Sequence, residues 1–183
     1  MQKGVFLMQK QLQKAVLGAI LAAMAVGINL FFAYVIGGDG TFGLPIYSIP
    51  LIISSIYLGP LYGFLVGFVA DLGIGFLGPF GYKPLFVLST LSWSVIPGLF
   101  IRKEYNLFKM IIAVFVAYVL ATAGNTLALI VHYDSNTAIS SLIYRIPSML
   151  VLMTPLVTLS HLIYKRILDY QDSAQSFDGS IIT

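Results

Sequence analysis

Long uninterrupted apolar blocks, rather than amphipathic stripes, organise this chain. The first, residues 15–36, makes about 33 Å of helix at about 1.5 Å per residue, enough to cross a hydrocarbon core about 30 Å thick. A second begins near Ile46 and stops at the Gly59-Pro60 break. It is short, and Pro50 predicts a kink inside it. Residues 61–77, 84–101, 110–132 and 141–164 form the third to sixth blocks. The connectors are short and turn-like: 37–45, Gly59-Pro60, 78–83, 102–109 and 133–140. The pattern predicts an all-α, polytopic membrane protein of six transmembrane helices, a single domain over residues 1–183 with a polar, disordered tail from about 171.

Composition turns that pattern into an exclusion. Of 183 residues, 58% are hydrophobic and 9% charged, against roughly 25% charged in a soluble domain. Such a chain could not cover a soluble particle. Its basic residues also set an orientation, because cytoplasmic loops retain the positive excess. Lys3, Lys10 and Lys14 precede the first block, Arg102, Lys103 and Lys109 separate the fourth from the fifth, and Lys165 and Arg166 follow the sixth. These are eight of the ten basic residues, and with six spans they fall on one side. Both termini are therefore expected in the cytoplasm, and the protein in the plasma membrane. Ala23-Met24-Ala25 resembles a signal-peptidase site, but the apolar run continues well past it, so an uncleaved span is expected. The net charge of +3 lies on no folded soluble face, so no nucleic-acid partner is implied.

The sequence is poor in catalytic motifs. It has no cysteine, no Gly-Lys-Ser/Thr phosphate loop, no His-Glu-x-x-His, no Gly-x-Ser-x-Gly and no paired carboxylates within a span. No enzyme, metal or cofactor is expected. Asp71 is the one acidic residue expected inside the bilayer, and no two-fold repeat is evident. Both features weigh against an ion-coupled secondary transporter.

Two small-residue ladders stand out. Ala15, Ala19, Ala23 and Gly27 recur every fourth residue in the first block, and Gly59, Gly63 and Gly67 do so in the third, reaching Asp71 at the next step. Such faces let another helix approach closely, within the chain or from a partner. Polar side chains form a layer. From one end of each span, Asn29, Asp71 and Asn125 lie about 9–10 Å deep, Arg145 about 6 Å and Trp93 about 14 Å. Charged and amide groups at such depth mark a site or a pair. Asp71 and Arg145 can neutralise one another, or Arg145 can grip a carboxylate. Tyr34, Tyr47, Tyr82, Phe86, Thr126, Tyr133 and Tyr144 could stack on or bond to a small ring or amide, and Lys83 would attract an anion.

The stretch Leu58-Gly59-Pro60-Leu61-Tyr62-Gly63-Phe64-Leu65-Val66-Gly67, then Asp71, Gly78-Pro79, and Ser94-Val95-Ile96-Pro97-Gly98-Leu99 followed by Arg102, resembles the substrate-binding S component of energy-coupling factor (ECF) vitamin transporters. It is most similar to the folate-type group. That resemblance implies a subunit that captures a water-soluble vitamin from outside, with ATP spent by partner ATPases. The implied partners are a transmembrane T component, docked through an alanine ladder matched by Ala15, Ala19 and Ala23, and two ATPase subunits. The glycine-rich segment 37–45 would be a lid and 78–83 a second gate. Arg145, Asn125, Trp93, Tyr82, Lys83, Asp71, Asn29 and Tyr133 are the substrate-binding candidates. Arg145 and Lys83 suit a carboxylated vitamin such as folate or pantothenate; a neutral pyrimidine or pyridoxine-like ligand would not need them. Outside that family, a non-transport membrane scaffold or a stand-alone secondary transporter remains the alternative.

Overall fold

The computed structural model describes residues 2–37, 45–101 and 105–179, and these are helical with short connections. In order they form α1 (Gln2–Phe31), α2 (Ser48–Leu58), α3 (Pro60–Leu77), α4 (Val87–Phe100), α5 (Leu107–His132) and α6 (Ser135–Gly179). A π-helical turn, Phe32–Gly37, continues α1, and 3-10 turns Pro45–Tyr47 and Pro84–Phe86 lead into α2 and α4. Segment 38–44, expected as a lid, and Arg102 and Lys103 of the basic cluster lie outside the described residues.

Among the described residues, four stretches are long and apolar enough to cross a membrane: Gln11–Val35, Pro60–Leu77, Leu107–His132 and Ser135–Asp169. Two apolar helices, Pro45–Leu58 and Pro84–Phe100, are shorter. Their outward faces are oily. Leu61, Leu65, Val69 and Phe76 of α3, and Phe115, Val119 and Leu127 of α5, are exposed, a surface that a monomer in water rarely presents and that fits a multi-pass membrane protein.

The shortest helix is the innermost. α2 touches α1, α3, α4 and α6, and Ser48 through Ser55 are buried without a break. A helix apolar on every side belongs inside a protein or a membrane. Pro50 is the third residue of α2, where its missing N–H has no intrahelical acceptor to lose, so it opens the helix instead of kinking it. α6 starts at Ser135, before the expected position 141, because Asp134 caps it: its carboxylate accepts the backbone N–H of Thr137 at 2.6 Å and the Thr137 hydroxyl at 3.1 Å. It continues through the first part of the polar tail to Gly179.

α3 and α4 meet along a seam with no room for side chains. A Cβ on Gly63 would overlap the Ser94 carbonyl oxygen and stand 3.0 Å from Ser55 Cα; one on Gly67 would stand 2.7 Å from Ser94 Cβ. Gly63 and Gly67 of that ladder are thus consumed by internal packing, whereas a Cβ on Gly59, ahead of α3, would meet nothing within 4 Å. Pro97 interrupts α4, and Ser55 of α2 repairs the break: its hydroxyl accepts the Gly98 N–H at 2.7 Å and donates to the Val95 carbonyl at 3.1 Å. The α1 ladder turns the other way. Gly18, Ala22 and Ala25 face the core, whereas Ala15, Ala19, Ala23 and Gly27 are exposed.

Candidate functional site

The seam between α3 and α4 ends at a cavity of about 260 Å³. All eight substrate-binding candidates line it: Asn29 on α1, Asp71 on α3, Trp93 on α4, Asn125 on α5, Arg145 on α6, Tyr82 and Lys83 in the 78–83 connection, and Tyr133 just past α5. Asn29, Asp71 and Asn125 converge because each sits at a similar depth on its helix, and helices packed side by side bring equal depths together. Tyr47 and Phe86 join them, entering on the two 3-10 turns.

Three expected neighbours stay outside the lining. Tyr34 donates to the Leu77 carbonyl at 2.8 Å, Thr126 bonds back to the Thr122 carbonyl at 2.8 Å, and Tyr144 is an exposed residue of α6.

The floor is aromatic. Trp93, 2% exposed, meets Tyr118 edge-on at 5.2 Å between centroids. The mouth is closed on one side by Lys83, whose ammonium bonds the Phe80 carbonyl at 3.1 Å, contacts the Tyr133 hydroxyl and lies 4.1 Å from the centre of that ring. This ties the 78–83 connection to the end of α5. Gly81, at φ +71°, gives the connection a turn that a side chain would strain, and Tyr82 stacks on Phe76 at 5.0 Å. Beside the mouth, the Thr137 backbone N–H and then its hydroxyl hold the Asp134 carboxyl below the usual carboxylate range.

The two intramembrane charges do not neutralise each other. Among the described residues no salt bridge joins them; Asp71 instead accepts the Thr90 hydroxyl at 2.9 Å. Arg145 sits within electrostatic reach of the Tyr47 and Tyr118 phenols, and its Nη1 is buried with no hydrogen-bond partner among the described residues. A buried guanidinium N–H without an acceptor is costly, so the arrangement is suited to receiving an anionic oxygen.

Sequence reasoning missed several lining residues. Thr137, Ser141 and Ser148 share a face with Arg145, at steps of four, four and three, and all four line the cavity. That polar stripe through an otherwise apolar helix was a legible signal. Thr90 and Tyr118 carried none, since a lone hydroxyl in a span is ordinary packing chemistry. No protein-family model matches the chain, and neither does any curated protein or solved structure.

Proposed function

We propose that this chain is a membrane-embedded substrate-binding subunit, an S component of an ECF-type importer, that captures a small water-soluble vitamin from outside. In this reading six helices cross the membrane with both termini cytoplasmic. The two short helices span because they pack on each other and on their long neighbours, α2 against α1, α3 and α6 and α4 against α3 and α5, and so need not match the lipid thickness along their whole surface. The cavity then opens outward beneath segment 78–83, which acts as a gate.

One observation carries the reading: polar and aromatic residues from five helices converge on a single cavity in which the Arg145 Nη1 and Ser141 Oγ atoms are buried without partners among the described residues. A scaffold whose polar layer only joined helices would close its hydrogen bonds on itself. The exposed Ala15, Ala19 and Ala23 face adds support, because it leaves a close-approach surface for a T component, with ATP spent by two partner ATPase subunits.

Arg145 favours a carboxylated vitamin such as folate or pantothenate over a neutral pyrimidine or pyridoxine-like compound. Calorimetric titration of the detergent-purified protein against a vitamin panel tests this. Submicromolar binding of a carboxylated member is expected, preference for pyridoxine would shift the ligand class, and no binding by any member would sink the proposal.

A further inference from the structure

The cavity has two poles of opposite charge, and neither is fully paired among the described residues. On α6, Ser141 is 2% exposed, and its Oγ, like Arg145 Nη1 one turn away, is buried without a partner among the described residues. Four residues apart on one face, they are about 6 Å apart along the axis, a separation that the long arginine side chain can close. An N–H and an O–H can then meet on the two oxygens of one carboxylate.

The second pole is Asp71 on α3. It is 5% exposed, and among the described residues its carboxylate receives one hydrogen bond, from Thr90. An ionised carboxylate offers about four lone-pair sites to donors on its two oxygens. Asp71 therefore has acceptor capacity left, in a group that lines the cavity. The Tyr47 phenol lies within electrostatic reach of both poles, and both stay unpaired with each other.

Resting on the binding-subunit reading above, we propose that the site recognises a bifunctional ligand: a monocarboxylate held by Arg145 and Ser141, whose other end presents an N–H edge to Asp71. A simple anion would satisfy α6 and meet the Asp71 carboxylate as a like charge. A neutral N–H compound would leave the guanidinium unpaired. Arg145 and Lys83 set against Asp71 leave the lining one positive charge, so a monocarboxylate is compensated whereas a dianionic phosphate monoester would bring excess negative charge.

The test titrates the detergent-purified full chain with the monocarboxylates pantothenate and pteroate, the latter keeping the pterin N–H edge of folate without its dicarboxylate glutamate, with their carboxamides and N-methylated counterparts, and with pyridoxal phosphate. In the wild type, converting the carboxylate to the amide should cost roughly tenfold or more in affinity, as for loss of a charge-assisted hydrogen bond. That cost should nearly vanish in Arg145→Gln. Asp71→Asn should keep the carboxylate preference and lose the discrimination between N–H and N-methyl ligands. Ser141→Ala guards against misfolding as an explanation: it removes one unpartnered oxygen, so melting should be unchanged while affinity for the carboxylate, and not the amide, falls severalfold. Unaltered preferences in all three variants, or phosphate ester binding as tight as carboxylate, would overturn the bipolar assignment alone. Absence of any binding by the wild type would overturn it together with the subunit reading.

Discussion

Gly63→Ala is the sharpest test of the packing that builds this site. The added methyl would overlap the Ser94 carbonyl oxygen, with the Ser94 carbonyl carbon at 3.2 Å and Ser55 Cα at 3.0 Å, inside the roughly 3.5–4.0 Å optimum for carbon contacts. Each of these atoms is backbone, so no rotamer change relieves the clash. α3 must move away from α2 and α4. Overpacking costs about 1–3 kcal/mol, loosening the Ser55 bridge to Gly98 and Val95 adds about 1 kcal/mol, and the better helix propensity of alanine returns about 1 kcal/mol. The net loss of about 1–3 kcal/mol corresponds to a melting temperature lower by about 3–10 °C.

The protein carries its own reporter. Trp93 is the single tryptophan, 2% exposed and edge-on to Tyr118, so its emission follows loss of the core in a detergent thermal melt. Gly27→Ala is the control, because a Cβ there meets nothing within 4 Å. Its only effect is propensity, and it should raise the melting temperature by about 2–4 °C. At Gly67 the obstruction is the Ser94 side chain, so Ser94→Gly should recover part of the loss in Gly67→Ala. Gly63→Ala melting with the wild type, or Gly27→Ala falling as far as Gly63→Ala, would refute the seam.

Three further outcomes are expected. Ser55→Ala strips the buried acceptor from the Gly98 N–H and should cost about 1–3 kcal/mol, read as earlier loss of Trp93 emission on heating. Asp134→Ala should destabilise the start of α6 at neutral pH. Because Thr137 lowers the folded-state pKa of Asp134, this contribution is present above the unfolded value of about 3.9 and is lost as pH falls through the folded value, so mutant and wild-type melting curves should converge in acid. Ala19→Trp places an indole on the exposed face of α1; it should leave vitamin binding intact and abolish co-purification with a T component, and an undiminished complex would assign that face to lipid.

The polar layer was legible because an apolar helix hides nothing: depth follows from counting residues at constant rise, and Asn29, Asp71, Asn125 and Arg145 indeed share one cavity. What periodicity could not give was the identity of the neighbour. The ladders of α1 and α3 have the same four-residue spacing, yet Gly63 and Gly67 are buried against Ser94 while Ala15, Ala19 and Ala23 are exposed. Spacing defines a face, and what covers the face is a property of the assembled bundle. Hydropathy likewise could not separate α2, enclosed by protein, from a helix that faces lipid, because both environments reward the same side chains.

The residues that carry the family resemblance and those that would choose a ligand are different sets, joined at one point. Gly63 and Gly67 of α3 rest on Ser94 of α4, and the Gly98 N–H is held by Ser55 of α2. One turn further along both helices, at Asp71 and Thr90, the same register becomes a hydrogen bond of 2.9 Å on the cavity wall. A sliding or parting of α3 from α4 large enough to admit a methyl at Gly67 would stretch that bond first. The motif thus fixes where Asp71 stands and contributes only that one pole. The other pole, Ser141 and Arg145, lies on α6, outside the motif. A scaffold built this way can keep its packing code while α6 is rewritten for a new ligand, so ligand class should follow the stripe Thr137, Ser141, Arg145 and Ser148 rather than the glycine pattern of α3.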